Sequence, residues 1–221
     1  MIAGNIRRIR EELPEGVKLV AVSKFHDSDA VMQAYGAGQR SFGESRVQEL
    51  LAKQPLLPDD IDWHFIGHLQ TNKVRQIIGR VAMIESIDSE RLLSLVDAES
   101  EKAGVVTDVL MQVHVALEET KFGFSPEELV EFFRGRRFEN LRAVHIRGIM
   151  GMATNTDSEP RVREDFRRIR SLYDSIARDV APDLRRFDTV SMGMSHDWKI
   201  AVEEGSTSVR IGTSIFGPRE Y

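Results

Sequence analysis

The 221-residue chain has no cysteine. That excludes disulfides, thiolate metal sites and cysteine nucleophiles, and it is compatible with a reducing cytoplasm. No apolar run approaches the roughly 20 residues needed to cross a bilayer. The opening residues, MIAGNIRRIREELPEG, lack the long apolar segment of a signal peptide. Instead Ile6, Ile9 and Leu13 fall at helical spacing between charges, which predicts an amphipathic helix packed on a body. There is no basic block or aromatic-basic interleaving to suggest a nucleic-acid partner, no acidic tail, no repeat and no low-complexity segment. No linker rich in Pro, Gly or Ser divides the chain, since Pro55 and Pro58 share one loop. The net charge of −5 is modest and spread along the chain, and 41% of residues are hydrophobic, enough to bury a substantial core. The expectation is a soluble cytoplasmic protein, with no membrane or nucleic-acid partner, folded as one domain over 1–221.

What is present is an alternation of elements. Strand candidates are KLVAVS (18–23), RSFGE (40–44), DWHFIG (62–67), AMIESID (82–88), DVLMQVHV (108–115), RAVHIRGIM (142–150), DTVSMG (188–193) and TSVRIG (207–212). Helical faces lie between them: Ala30, Val31, Ala34 and Tyr35; Val74, Ile77 and Ile78; Leu92, Leu93, Leu95 and Val96. The clearest runs through Val162, Phe166, Ile169, Tyr173, Ile176 and Val180. Strands rich in Val, Ile and Met rather than strictly alternating imply a parallel α/β sheet covered by helices. Closed, eight such units make a (β/α)8 TIM barrel; left open, they make a doubly wound sheet.

The barrel reading directs attention to the C-terminal ends of the strands, where such barrels carry their sites, with phosphate often bound after strands 7 and 8. Lys24 ends the first strand, and a lysine near apolar walls and other cations acquires a neutral, nucleophilic amine. Strand 7 ends in SMGMSHD and strand 8 runs into RIGTSIFG. Ser191, Gly193, Ser195, Gly212 and Thr213 give small, hydroxyl-bearing residues where an anion would sit, with Gly193 and Gly212 permitting close backbone approach. Ser195 precedes HDWKIAVEEG and reads as a helix cap. Arg210 shares a face with Ser208 and Gly212, so an inward guanidinium needs a partner, for which Glu44 and Asp88 are the candidates. His64, at the end of strand 3, and Met150, at the end of strand 6, complete the residues directed at the mouth. A lysine beside a phosphate site suggests a Schiff base with a phosphorylated aldehyde.

The string LVAVSK, followed by FGES-RVQEL (43–50), WHFIGHLQTNK (63–73), SMGMSHD (191–197) and VRIGTSIFG (209–217), closely resembles the YggS or PROSC-type pyridoxal phosphate homeostasis proteins. The resemblance spans almost the whole chain, in order and with matching spacing. It implies a barrel like that of the alanine racemases, with Lys24 forming an internal aldimine with pyridoxal 5′-phosphate (PLP). It further implies that Arg210 sits by the pyridine nitrogen and that Gly212, Thr213 and Ser195 hold the phosphate. Ser45 and Arg46 depart from the asparagine and tyrosine that many relatives carry there. Lys121 and Gly123 match a lysine and glycine of the family in a loop near the cofactor or a secondary site.

Barrel racemases need a second base, in alanine racemase a tyrosine from an additional β domain of the partner subunit. This chain stops at Tyr221, soon after strand 8, and Tyr35 and Tyr173 lie on predicted helices. The resemblance therefore implies a monomer without that β domain. Such a protein holds PLP, serves intracellular vitamin B6 and amino-acid homeostasis without efficient turnover, and has PLP-dependent apoenzymes as possible recipients. A slow racemase or lyase using His64, His68 or a water as second base is the alternative. A metal-dependent barrel hydrolase built on His64, His68, His114 and Asp88 is the remote one.

Overall fold

The eight apolar runs become eight parallel strands, β1 Lys18–Val22, β2 Ser41–Glu44, β3 Asp62–Phe65, β4 Met83–Ile87, β5 Thr107–Val113, β6 Val144–Gly151, β7 Thr189–Ser191 and β8 Ser208–Ile211. In the computed structural model, which describes residues 1–118 and 122–218, they pair in chain order as a closed barrel. Closure is made by β1 against β8, with Lys18 opposite Ser208 and Ala21 opposite Ile211. The open-sheet alternative is thereby excluded.

Alternation along each strand separates two environments. Leu19, Ala21, Phe42, Trp63, Phe65, Val109, Met111, Val190, Val209 and Ile211 point outward into one continuous apolar layer beneath the helices. Phe42, Phe65, Phe133 and Phe166 are fully buried there, and each such side chain contributes on the order of 1.5–3 kcal/mol. Inside the barrel lies a small apolar cluster of Met83, Leu110 and Met150, with Met152 packed against it. Val20 and Val22 also face inward, and beside them the interior holds buried Glu85, His64, Ser191 and Arg210, a polar set that is unusual for a core.

The helices follow from local chemistry. Helix α1 (Ile2–Glu12) buries Ile6 and Ile9. Helix α2 (Ser28–Gly36) begins at Asp27, whose side chain accepts from the Ala30 N–H. Helix α3 (Val47–Lys53) buries Val47, Leu50 and, on the same face, Lys53. Helix α4 (Val74–Ile77) is a single turn, and α5 (Glu90–Ala103) is capped by Ser89 and stopped by Gly104 in the left-handed conformation at φ 69°. Helix α6 (Pro126–Arg134) carries a capping box, Ser125 with Glu128. Helix α7 (Glu159–Ser175) buries Val162, Phe166, Ile169 and Leu172 and widens into a π turn over Ile176–Val180. Short helices α8 (Trp198–Glu203) and α9 (Thr213–Phe216) flank β8. Among the described residues no helix is long and apolar enough to cross a membrane.

Candidate functional site

Lys18, Val20 and Val22 form the inward set of β1, and Lys24 continues it past the strand end, half-buried at the C-terminal mouth. The Ser23 carbonyl accepts from the His26 N–H at 3.1 Å, so Lys24 and Phe25 are the central pair of a tight turn. Phe25 has φ 68°, a conformation usually left to glycine that costs a side-chain-bearing residue roughly 1–2 kcal/mol. Its N–H donates to Glu49 Oε1 at 2.5 Å, and the Arg46 guanidinium lies 4.7 Å from its ring centre. Arg46 thus covers the aromatic ring of Phe25.

The turn is pinned on both sides of the lysine. Lys53 Nζ donates to the Ser23 carbonyl (2.9 Å), Glu44 Oε1 (2.7 Å) and Glu49 Oε1 (3.0 Å), while Ser23 Oγ donates to Glu44 Oε1 (2.7 Å). An ammonium with all three donors used and a carboxylate beside it tolerates burial. Burial pushes the Glu44 carboxyl up from its ordinary value, and the Lys53 charge only partly opposes it. Glu44 Oε2 has no hydrogen-bond partner among the described residues.

Arg210 is buried and points into the barrel. Its Nη1 donates to Ser191 Oγ (2.5 Å) and its Nη2 to the Gly151 carbonyl (3.1 Å). Its charge partner is Glu85, 3.8 Å away, rather than Glu44 or Asp88. Glu44 faces outward to Lys53, and Asp88 bonds to His68 at the rim. Glu85 also accepts from Ser191 Oγ (2.6 Å) and meets His64 Nδ1 at 2.5 Å. Burial acts to raise the Glu85 carboxyl, but the His64 hydrogen bond and electrostatic pull, then the Arg210 charge and the Ser191 hydroxyl, outweigh it and hold it below its ordinary value. Burial lowers the Arg210 guanidinium against the opposing pull of Glu85, though an arginine remains protonated at any physiological pH.

The loops after β7 and β8 meet at one hydroxyl. Ser195 Oγ accepts from the Gly212 N–H (3.1 Å) and the Ser214 N–H (3.4 Å), and Ser214 Oγ donates to the Ser195 carbonyl (3.3 Å). Ser195 is not the cap of α8. Asp197 holds the N-cap position, but its side chain makes no capping hydrogen bond; its carboxylate accepts from the Met194 N–H at 2.6 Å, in the turn before the helix. Gly193 serves packing as well, because at φ 97° an added Cβ would lie 2.6 Å from Ala201 Cβ. Gly212 sits against the β1 terminus, where a Cβ would be 3.1 Å from the Val22 carbonyl oxygen. His26 stacks on Phe216 at 5.0 Å, joining the lysine turn to the β8 loop.

Lys24, Ser195, Gly212 and the exposed Thr213 therefore border one mouth, with Arg210, Ser191 and Met150 beneath them. His64 lies deeper still: its Nε2 faces Lys18 Nζ at 3.1 Å, toward the opposite end of the barrel. Lys121 and Tyr221 lie outside the described residues. His68 bonds Asp88 and stacks on Phe122, and His114 bonds the Glu118 carbonyl. Among the described residues no three His, Asp or Glu side chains are grouped to hold a metal ion. Sequence reasoning missed Glu85, Lys53 and Glu49. The signal for Glu85 was there: it shares strand parity with Met83 and so faces inward.

The alanine racemase N-terminal domain family matches residues 1–220. The pyridoxal phosphate homeostasis protein of Aquifex aeolicus is 42% identical over 205 residues, which cover 92% of this chain and 88% of that one. The human protein of the same name is 37% identical over 215 residues, covering 92% and 77%. PipY of Synechococcus elongatus, solved with PLP bound, is 37% identical with a TM-score of 0.90, covering 98% of this chain and 100% of PipY. Alanine racemase from Bartonella henselae shares the fold alone, at 16% identity and a TM-score of 0.74, covering 99% of this chain and 58% of the racemase. With a family match along nearly its full length and relatives well above 30% identity, the chain belongs to the pyridoxal phosphate homeostasis protein family, built on the alanine racemase N-terminal barrel.

Proposed function

We propose that the protein binds PLP at the C-terminal mouth of the barrel, attached through Lys24, and serves PLP and amino-acid homeostasis by holding the cofactor rather than turning substrate over efficiently. One observation carries this reading: a pinned lysine turn, a buried arginine and a convergent pair of amides surround the same mouth. The residues fit the group. The Gly212 and Ser214 amides already converge on one acceptor oxygen, a demand that a phosphate oxygen meets equally well. The Arg210 guanidinium has more donors than the two hydrogen bonds it makes to Ser191 and Gly151, so it can still donate to a ring nitrogen.

Bound PLP supplies an aldehyde that condenses with amines and a ring that accepts electron density. Lys24 supplies the amine. Ser195, Gly212 and Thr213 hold the phosphate. Arg210 donates to the ring nitrogen but keeps its proton, which leaves the ring a weak electron sink. No tyrosine among the described residues reaches the mouth: the Tyr35 hydroxyl bonds Asp60, just before β3, and the Tyr173 hydroxyl bonds the Phe187 carbonyl, just before β7. Both hydroxyls are therefore at the other end of the barrel. We further read the protein as a cytoplasmic monomer of one domain, with PLP-dependent apoenzymes as recipients.

The test is an absorbance spectrum with PLP, followed by borohydride reduction and mass analysis of wild type and Lys24→Ala. The expected result is a reducible adduct on wild type alone; the same adduct on both overturns the assignment. Incubation with D- and L-amino acids should give no racemisation near the roughly 1–1,000 per second of typical enzymes. Turnover in that range establishes the racemase alternative instead.

A further inference from the structure

A continuous line of polar side chains crosses the barrel from the mouth bearing Lys24 to the opposite one. Arg210 Nη1 meets Ser191 Oγ, Ser191 Oγ meets Glu85 Oε2, Glu85 Oε1 meets His64 Nδ1, and His64 Nε2 meets Lys18 Nζ. All four residues from Arg210 to His64 are buried, whereas Lys18 is exposed. Lys18 lines a cleft of about 230 Å³ at the far mouth together with Asp62, His64, Asp108, Arg147 and Ser208.

The direction of every hydrogen in this line follows from donor chemistry. An ammonium only donates, so His64 Nε2 accepts and its single proton sits on Nδ1. That proton is donated to Glu85, which must be a carboxylate because its other oxygen accepts from Ser191. Ser191 in turn accepts from Arg210, which has no acceptor to offer. Glu85 is thus the common acceptor of two donor chains, one starting at Arg210 and the other at solvent-exposed Lys18.

We propose that Lys18, His64 and Glu85 are positioning residues for Arg210, forming a relay by which the far mouth of the barrel sets the charge balance of the cofactor mouth. Lys18 holds a second imidazole proton off Nε2, since a donor there would face the ammonium 3.1 Å away. A neutral His64 leaves the full Glu85 charge to balance Arg210. The other charged groups facing His64 are committed or distant: Arg147 is paired with Asp108 and Asp188, Asp62 lies at the exposed rim of the cleft, and Arg210 is reached only through Ser191 and Glu85. Replacing Lys18 with an apolar residue removes the constraint on Nε2. His64 then takes up a second proton from the cleft, and its charge competes with Arg210 for Glu85.

The relay's influence on bound PLP rests on the reading that Arg210 faces the ring nitrogen, but the relay itself does not. The first measurement is therefore made on cofactor-free protein: side-chain nitrogen–proton spectra of His64 and of the Arg210 guanidinium from pH 5 to 8, assigned with His64→Gln. Wild type should show the Nδ1-protonated tautomer with Nε2 free of a proton. Lys18→Met should show a proton on Nε2 as well, with the Arg210 resonance displaced alongside it, and Lys18→Arg should restore wild-type behaviour. The Nε2 tautomer in wild type, or the same proton occupancy in wild type and Lys18→Met, overturns the proposal. The second measurement is the pH midpoint of the PLP absorbance change, expected to shift by roughly one unit in Lys18→Met. No shift, with the His64 change present, overturns the link to the cofactor. If wild type takes up no PLP, the functional reading fails, and the first measurement alone decides the relay.

Discussion

Lys24 sits between two residues that are held from outside the barrel, Ser23 by Lys53 and Glu44, and Phe25 by Glu49. The strain at Phe25 persists only because this arrangement over-determines the turn. Lys53→Met is expected to leave Glu44 as an uncompensated buried charge and cost about 3–5 kcal/mol, a fall in Tm of roughly 6–20 °C for a chain of this length. The double variant Lys53→Met with Glu44→Leu should lose less than Lys53→Met alone in the same melting experiment; equal losses would assign the effect to packing. Glu85 makes a pH prediction. Its carboxyl is held below its ordinary value, so the stabilisation is fully present above about pH 4.3 and is lost as pH falls through the lower folded value. A thermal melt series should show wild type losing Tm below about pH 4, and Glu85→Gln, already less stable at neutral pH, with a shallower acid limb. At this scale the placement of Lys24 past the end of β1 and the inward direction of Arg210 were legible from the sequence. The partner of Arg210 was not, because Glu85 reaches it across the barrel interior, and that proximity depends on strand stagger rather than on spacing in sequence.

All eight strands were legible because apolar runs bounded by turns survive any detail of pairing. The irregularity within β6 was not. Val109 pairs with Ile146 but Leu110 pairs with Gly148, so Arg147 is an extra residue and the strand changes parity there. Before the bulge Val144 and Ile146 face the outer layer; after it Ile149 does, and Met150 turns inward beneath the mouth. Read as regular alternation, RAVHIRGIM gives no hint of this switch. Gly148 makes it possible: at φ 152° an added Cβ would lie 1.8 Å from the Thr189 carbonyl oxygen. Gly148→Ala is therefore expected to lose most of the soluble folded protein, as measured by expression and circular dichroism. Gly4→Ala, on the exposed side of α1 with nothing within 4 Å of the new methyl, should instead stabilise by about 0.5–1 kcal/mol. Helix α8 gives the converse case. The sequence favoured Ser195 as its cap, but the helix starts after Asp197 with no side-chain capping bond, and the Ser195 hydroxyl goes to the β8 loop.

Taken as a whole, the molecule closes where the proposed site lies. The seam of the barrel is β1 against β8, and the neighbouring β7 is only three residues long, pairing with β8 at Ser191 and Ser208. Lys24 follows β1, Ser195 follows β7, and Gly212 and Thr213 follow β8, so a ligand held by all of them bridges three consecutive strand ends across that seam. Binding to the native state alone stabilises it by about 2.7 kcal/mol at a hundredfold excess over Kd, roughly 5–11 °C in Tm. The gain should not be uniform, since local opening draws on the elements whose ends the ligand joins. Hydrogen exchange with and without PLP should therefore show the largest added protection in the turn 23–26 and the loops after β7 and β8. The helix faces of α5 and α7, on the other side of the barrel wall, should change little. Lys24→Ala should keep part of the protection at the β7 and β8 loops, where the proposed phosphate contacts are untouched, and lose it in the turn. Equal protection throughout the barrel would mean that the cofactor stabilises the fold globally rather than closing the seam.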